Sequence, residues 1–485
     1  MSSEQILQSL PATLAPNARV STRMSKAAMP SWYSYVERNE KKGGDQSVAI
    51  SATGTTEVIF DVLREVENLK KSKVLFDITF PAQGANICTR AFVDSPPLDS
   101  LELRTKGRKF CVNVEHAVEY WNTCVPACSD LIDIHQRGPV GYGTTVANAR
   151  VAGTCYFMNL SNNLASDLFQ DADGTGVAVN QNKIGDDGTL VVDADENNYF
   201  GRTHVMASTA NAALVLHCCI ELGDFHETML ELDQDLYSPV PLELVFRFRR
   251  TADWGFTIDN TAGNVGDDLG AAALAVQPTI SNLHMLVAQQ ANPDVIDSVM
   301  ADVNGGGLSF KIPYVEMIQD VLGAATNVHK SNGITPGMGE KLKRIYWITR
   351  NTDTNTVDRC NLYGDVNDKV LDYQTRFHGK WLQQQEIKAD ETENYLYNRR
   401  LLKGSVLGQN RMEYVSNPVH IDDFSSIPAL KDSSWFNLLD SGIVLDREYQ
   451  AERKITSKEA VDHTAFMIVV TQKTVTIDST GFHIN

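Results

Sequence analysis

The sequence predicts an all-β chain built from two tandem units, and three observations carry that expectation. The first is the run from Ile220, IELGDFHETMLELDQDLYSPVPLELVFRFRR, which reads as a short helix followed, after a Pro-x-Pro turn, by a long amphipathic strand. In that strand Leu242, Leu244, Phe246 and Phe248 share one face while Glu243, Arg247 and Arg249 share the other, the period-2 alternation of a half-buried strand. The second is that this order recurs roughly 200 residues later: Phe424 to Asp440 is polar then apolar with a helical tail, and SGIVLDREYQAERKI, from Ser441, is the long strand. The third is a succession of segments rich in β-branched and aromatic residues, bounded by Gly or charged clusters.

Taken in order, residues 1–45 form a polar arm of net charge +2, with Arg19, Arg23, Lys26, Arg38, Lys41 and Lys42 against Glu4, Glu37, Glu40 and Asp45. A genome-packing arm would carry a dense basic block. Trp32, Tyr33 and Tyr35 suit docking on a partner surface instead, and a loose terminus is the bland alternative. Strands are expected from Ser47, at SVAISA, TTEVIFDVL and VLFDITF, and LELRTKGRKFCVNV from Leu101 reads as a hairpin around Gly107. The stretch from Glu115 is ambiguous, because Ala117, Tyr120, Trp121 and Cys124 have helical spacing and Pro126 should then break or kink the helix. Residues 161–203 form an Asn/Asp/Gly-rich insertion of net charge −6, and a second insertion starts at Gly255. Both must lie on the surface, as long loops at one end of a β-sandwich, because burial would leave their backbone groups unpaired. After PTISNLHMLVAQ from Pro278, the polar run Ala291 to Gly307 is the expected domain boundary. The second unit opens with LSFKIPYVEMI and continues through KRIYWITR and DRCNLYGDVND. A helix is expected over Asp390 to Lys403, started by Asp390 with Glu393 as in a capping box, and the unit closes on the strand TAFMIVVTQKTVTIDS.

At 485 residues, 42% hydrophobic and 21% charged, the chain is long enough for two large β domains. No apolar run is long enough for a membrane span and the first thirty residues lack a signal-peptide core, so neither insertion nor export is expected. The sequon at Asn159 is weak in that setting. The eight cysteines follow no disulfide framework, which points to reduced, mostly buried thiols in a cytosolic or nuclear compartment. A net charge of −18 argues against a broad nucleic-acid-binding face and favours protein partners.

Motifs for chemistry are weak. Asp171, Asp173, Thr175 and Gly176 resemble the start of a calcium loop, but the twelfth position is Asn182 and not the bidentate Glu. An ordinary Asp/Gly turn is the stronger reading. Cys124 and Cys128 lack a second metal-ligating pair, and the vicinal Cys218–Cys219 sits in the apolar strand ALVLHCCIEL, where thiols pack as hydrophobes. There is no HExxH, GxSxG or P-loop, and Gly138, Gly141 and Gly143 miss the Rossmann spacing. Asp422 and Asp423 could be imagined as glycosidase carboxylates, yet loop acids are expected by composition in so acidic a chain. The reading is therefore of no enzyme, no catalytic, cofactor-binding or metal residue, and no cofactor.

The run from Ile220, followed by PTISNLHMLVAQQANPDVIDSV, resembles the end of the first roll in double jelly-roll major capsid proteins of polinton-like viruses and virophages. NLYGDVNDKVLDYQTRFHGKWLQQQEIKADETENYLYNRRLLKG is similar to the strand, turn and helix excursion of that family's second roll. The resemblance spans most of residues 46–485; the acidic insertion and CVPAC match no family feature. It implies an all-β, tandem (double) jelly roll with short helices between late strands, divided into an arm at 1–45, a first roll with long surface loops at 46–292 and a second roll at 305–485. It further implies a homotrimeric, pseudo-hexagonal capsomer of an icosahedral dsDNA virus shell. Its partners would be neighbouring capsomers, penton and minor or cement capsid proteins, and its place the virion, after assembly in the host cytoplasm or nucleus. The alternatives are a tandem jelly roll that binds or acts on glycans, against which Tyr199, Phe200 and Phe256 are nearly the only loop aromatics, and a minor vertex protein of the same virion.

Overall fold

The computed structural model describes residues 32–41, 48–81, 87–92, 95–106, 109–129, 154–155, 204–208, 214–259, 276–322, 328–330, 341–351, 370–388, 392–402, 405, 420–425, 442–444, 450–457 and 463–484. The acidic insertion at 161–203 with its Asp171 loop, the sequon, the RGPVGYGTT glycines and DRCNLYGDVND lie outside them.

Among the described residues the first half contributes β1 (Tyr33–Arg38), β2 (Thr56–Val62), β3 (Glu67–Phe80), β4 (Ile87–Phe92), β5 (Leu98–Arg104), β6 (Phe110–Val114), helix α1 (Ala117–Cys128), β7 (Thr154–Cys155), β8 (His204–Ser208), β9 (Leu214–Glu221), β10 (Asp235–Leu236), β11 (Leu242–Phe248), β12 (Gly255–Asp259) and β13 (Thr279–Gln290). One sheet is ordered β1-β13-β3-β9 and the other β2-β11-β5-β6. Counting only those eight strands, the first pairs with the eighth, the third with the sixth, the second with the seventh and the fourth with the fifth. Such nested pairing is a long antiparallel hairpin rolled into two facing sheets, the jelly-roll topology.

Helix α2 (Pro293–Gly305) leads to β14 (Leu308–Leu322), β15 (Val328–Lys330), β16 (Lys341–Asn351), β17 (Val370–Phe377), β18 (Lys380–Trp381), β19 (Ile387–Lys388), helix α3 (Thr392–Asn398), β20 (His420–Asp423), β21 (Ile443–Val444), β22 (Ala451–Ser457), β23 (His463–Asp478) and β24 (Gly481–Ile484). The sheets β14-β23-β16-β20 and β15-β22-β17-β18 repeat the nested order strand for strand. Of the recurrence expected in the sequence, the repeated part is topological: β11 and β22 are each the seventh strand of a roll. SGIVLDREYQAERKI is not one long strand, since Ile443–Val444 pairs with β16 and Ala451–Ser457 with β15 and β17, and residues 426–441 lie outside the described residues.

The first core forms as the alternation predicts. Leu244 pairs with Phe60 and Leu103, and Phe246 with Val58 and Leu101; all six are fully buried. Phe60 and Phe246 meet edge to face with centroids 6.1 Å apart. The pair Leu101–Arg104 and Phe110–Val114 is the expected hairpin. A third sheet, β12-β4-β8, draws one strand from each of the long connections between core strands three and four, five and six, and seven and eight. The insertion at Gly255 therefore begins as a strand and not as a loop, because Gly255–Asp259 finds a partner in β4.

Five further expectations change. The first strand is not SVAISA, whose residues 48–51 are irregular; it is Tyr33–Arg38, inside the expected arm, paired along its whole length with β13. Its short length and charged neighbours hid it. The segment after Ile220 is no α-helix: Ile220 and Glu221 close β9, and Leu222–Asp224 and Met229–Glu231 are single 3-10 turns. Ala291 to Gly307 is not merely a polar linker. Asn292 caps α2 through Asp294 N, Pro293 opens it, and Val295, Val299 and Val303 bury one stripe at i, i+4, i+8 spacing. Pro126 does not stop α1, which runs on to Cys128. The proline removes one backbone bond near the helix end, and burial of Cys124, Val125, Ala127 and Cys128 offsets that loss. The helix near Asp390 is shorter than expected; Asp390 lies outside the described residues, and Glu393 accepts from Lys388 N at 3.3 Å.

Candidate functional site

Strand β16 has two kinds of neighbour. Ile345 and Trp347 point between the two sheets of the second roll, with Met467 and Val469 beside them. Arg344, Tyr346 and Ile348 point the opposite way, with Val470, Ile468 and Phe466 across from them; Tyr346, Ile348 and those three belong to the same hydrophobic cluster as the core of the first roll. The first sheet of the second roll is therefore apolar on both faces, and its outer face is covered by the first roll. Helix α1 supplies much of that cover through Tyr120, Trp121, Cys124 and Cys128, and the His116 ring meets Phe466 at 5.0 Å.

A polar cluster is sealed inside this seam. Glu227, held in the left-handed backbone region at φ 60°, aims its carboxylate at Arg344 Nη1, 2.5 Å away, and accepts from the Tyr346 hydroxyl at 3.1 Å. Arg344 is fully buried; Asp423 lies 3.8 Å from its Nε, beyond hydrogen-bond reach. Cys128 Sγ sits 3.7 Å from the same Tyr346 hydroxyl. On the first-roll side Glu231 accepts from the Glu227 amide at 2.9 Å and pairs with His226 Nδ1 at 3.2 Å, while Ser129 Oγ meets His226 Nε2 at 3.2 Å and the Tyr120 hydroxyl donates to the His226 carbonyl.

Burial shapes these groups. It pushes the Glu227 carboxyl up, against the pull of Arg344. It disfavours the charged His226 ring, but Glu231 outweighs it and the ring is held above its usual value, with Glu231 held below its own. The thiols of Cys124 and Cys128 and the Tyr346 phenol are pushed far up by burial. A buried Arg–Glu pair with a permanent cation can lock two bodies together.

The residues weighed in the sequence take structural places. Cys111, Cys124, Cys128, Cys218 and Cys219 are buried free thiols. Asp422 accepts from Trp347 Nε1 at 2.7 Å, Gln383 Nε2 at 3.0 Å and the Tyr397 hydroxyl at 3.2 Å, and Asp423 binds Ser425, so the pair braces the second roll. Among the described residues no group of His, Cys, Asp and Glu is placed to hold a metal, and no helix is long and apolar enough to cross a membrane. Glu227 was missed because nothing near it in sequence marks it. Arg344 was missed as well, because it alternates with Tyr346 and Ile348 in a strand that also carries Lys343 and Arg350.

Among solved structures the chain is similar to a chain of the PBCV-1 virus capsid, at 10% identity over 94% of this chain and 97% of that one, with a TM-score of 0.53. It is also similar to the Faustovirus major capsid protein, at 9% identity over 93% and 91% with a TM-score of 0.52. The chain has the double jelly-roll fold. A chain of the Sputnik virophage structure matches this double jelly roll at 13% identity over 94% and 88%, with a TM-score of 0.51. No family model matches, and no curated protein is similar in sequence.

Proposed function

We propose that this double jelly roll is a major capsid protein, three copies of which form a pseudo-hexagonal capsomer that tiles an icosahedral shell of a dsDNA virus. The observation that carries the reading is the repetition of one nested strand order in two rolls fused across a buried seam, in a chain whose solved neighbours are capsid proteins along nearly their whole length. Two fused rolls per copy give six rolls around a threefold axis, and a heterologous contact that closes makes such a ring. Function is then assembly, and no residue takes a catalytic role. Its partners are copies of itself, neighbouring capsomers, and penton and minor or cement proteins; its place is the virion, assembled in the host cytoplasm or nucleus.

Light scattering on the purified full chain tests this directly. The expected mass is three times the 53.6 kDa of one chain, with shells or hexagonal sheets by electron microscopy at high concentration. A monomer at every concentration would overturn the reading.

A further inference from the structure

A second polar cluster lies inside the second roll, away from the seam. His420 on β20 stands opposite Trp347 on β16, and Arg453 on β22 stands opposite Thr375 on β17; both side chains are buried. The Arg453 guanidinium lies 3.9 Å from the centre of the Tyr373 ring and 5.2 Å from that of Trp347, and its Nη2 donates to His420 Nδ1. The Tyr373 and His420 rings stack with centroids 4.1 Å apart. A guanidinium only donates, so Nδ1 is the acceptor and the one proton of a neutral imidazole sits on Nε2. That Nε2 has no hydrogen-bond partner among the described residues. The excursion through β18 and α3 closes on the same strand by polar bonds. Gln383 Nε2 and the Tyr397 hydroxyl donate to Asp422, the Tyr373 hydroxyl donates to Asn394 Oδ1 at 2.7 Å, and Asn398 Oδ1 accepts from the Ile421 amide at 3.3 Å.

We infer that His420 and Arg453 form an acid-triggered latch inside the second roll: a proton on His420 loosens β20 and the β18–α3 cover while the first roll and the seam stay closed. Protonation turns Nδ1 into a donor facing a donor, and it sets an imidazolium against a guanidinium that cannot lose its own proton. The groups around the ring do not offset this. Arg453 faces it from β22 and the Tyr373 phenol, kept neutral by burial, from β17; β16 sends Trp347, and α3 sends Asn394, Asn398 and the Tyr397 hydroxyl. Asp422, on the same strand, already accepts from Trp347, Gln383 and Tyr397. Burial, and then the Arg453 charge, hold the His420 ring well below its usual range. An opened strand binds the proton at the ordinary value, so stability of the closed form is lost as pH falls below about 6.5. The seam responds in the opposite sense, because Glu227 and His226 are both raised and proton uptake there favours the closed state. Acid therefore acts on the interior of one roll and leaves the two rolls joined.

The latch belongs to a single chain, so it stands or falls separately from the capsomer reading. Hydrogen exchange of the full chain, read by mass spectrometry between pH 7.5 and pH 5 and corrected for the intrinsic pH dependence of amide exchange, follows opening region by region. Each pH unit below 6.5 is worth about tenfold, so residues 392–402 and 420–423 are expected to open about thirtyfold more at pH 5 than at pH 7.5. Leu242–Phe248 in the first roll is expected to show no such rise. His420→Asn keeps an acceptor for Arg453 and has no proton to gain, and it should abolish the rise. A variant whose opening rises as steeply as the parent's overturns the inference. Where the variant does not fold, the parent chain decides: the same pH profile in both rolls, or no rise over residues 420–423, overturns it as well.

Discussion

Below neutral pH, removing Glu227 should cost the protein more than removing Arg344, although the two form one ion pair. In Glu227→Ala the guanidinium stays fully buried, with Asp423 3.8 Å away as its nearest carboxylate and with Nε and Nη2 making no hydrogen bond among the described residues. An arginine cannot escape by losing its proton, so the full penalty of breaking a buried pair applies, about 3–5 kcal/mol. At roughly 2–4 °C per kcal/mol for a domain of this size, the melting point should fall by roughly 6–20 °C. In Arg344→Met the stranded group is a carboxyl that burial already pushes above its usual range, and it can take up a proton. Keeping it protonated costs about 1.4 kcal/mol for each unit by which the pH exceeds the ordinary carboxyl value of about 4.3, so the loss at pH 7 is capped at about 4 kcal/mol and shrinks as the pH falls. The sign of the pH dependence follows. A carboxyl whose folded pKa exceeds its unfolded value binds more protons when folded, so its contribution is present at low pH and is lost as pH rises through the folded pKa. Arg344→Met should therefore regain stability between pH 7 and pH 5, while Glu227→Ala should show no such recovery. Melting curves across that range measure both; equal losses with equal pH slopes would refute the account of the seam.

Three other outcomes are expected. Phe246→Ala removes a fully buried ring packed edge-on against Phe60 and should destabilise the first roll by about 3–5 kcal/mol; an unchanged melting temperature would show the β11 register to be wrong. Deleting residues 1–40 should lower the melting point relative to deleting 1–31, because it removes β1 and with it Arg38, whose guanidinium binds buried Glu67 at 2.8 Å; equal melting of the two truncations would place β1 outside the fold. His226 is raised above 6.5 by Glu231 despite burial, so its stabilisation is full below about pH 6.5 and is lost as pH rises through its higher folded value. His226→Asn should accordingly flatten the stability profile just above neutrality, and a profile unchanged by the substitution would count against the His226–Glu231 pair.

Alternation made some elements legible and others not. β11 was readable because its hydrophobic period matches one buried face and one half-exposed face. β1 was not, because an edge strand with four exposed residues out of six carries little apolar signal and is defined by the partner β13, more than 240 positions away. The 3-10 turns after Leu222 and the valine stripe of α2 illustrate a third case. In both, local residues suit more than one conformation, and contact with a distant surface selects among them.

The sequence alone determined the all-β class, the tandem repeat, the buried reduced thiols and the alternating core of the first roll, since each depends on residue type at short range. AFMIVV within β23 also shows its two-sided burial directly, as a run without polar relief. Only the tertiary structure decided that the two rolls share a sealed interface, that Glu227 meets Arg344 across 117 positions, and that Tyr33–Arg38 is a strand. Those outcomes depend on which surfaces meet when two sheets close over one helix. Pairing between groups so far apart in the chain leaves no periodic trace in either segment, and it is set by the free energy of burying both together.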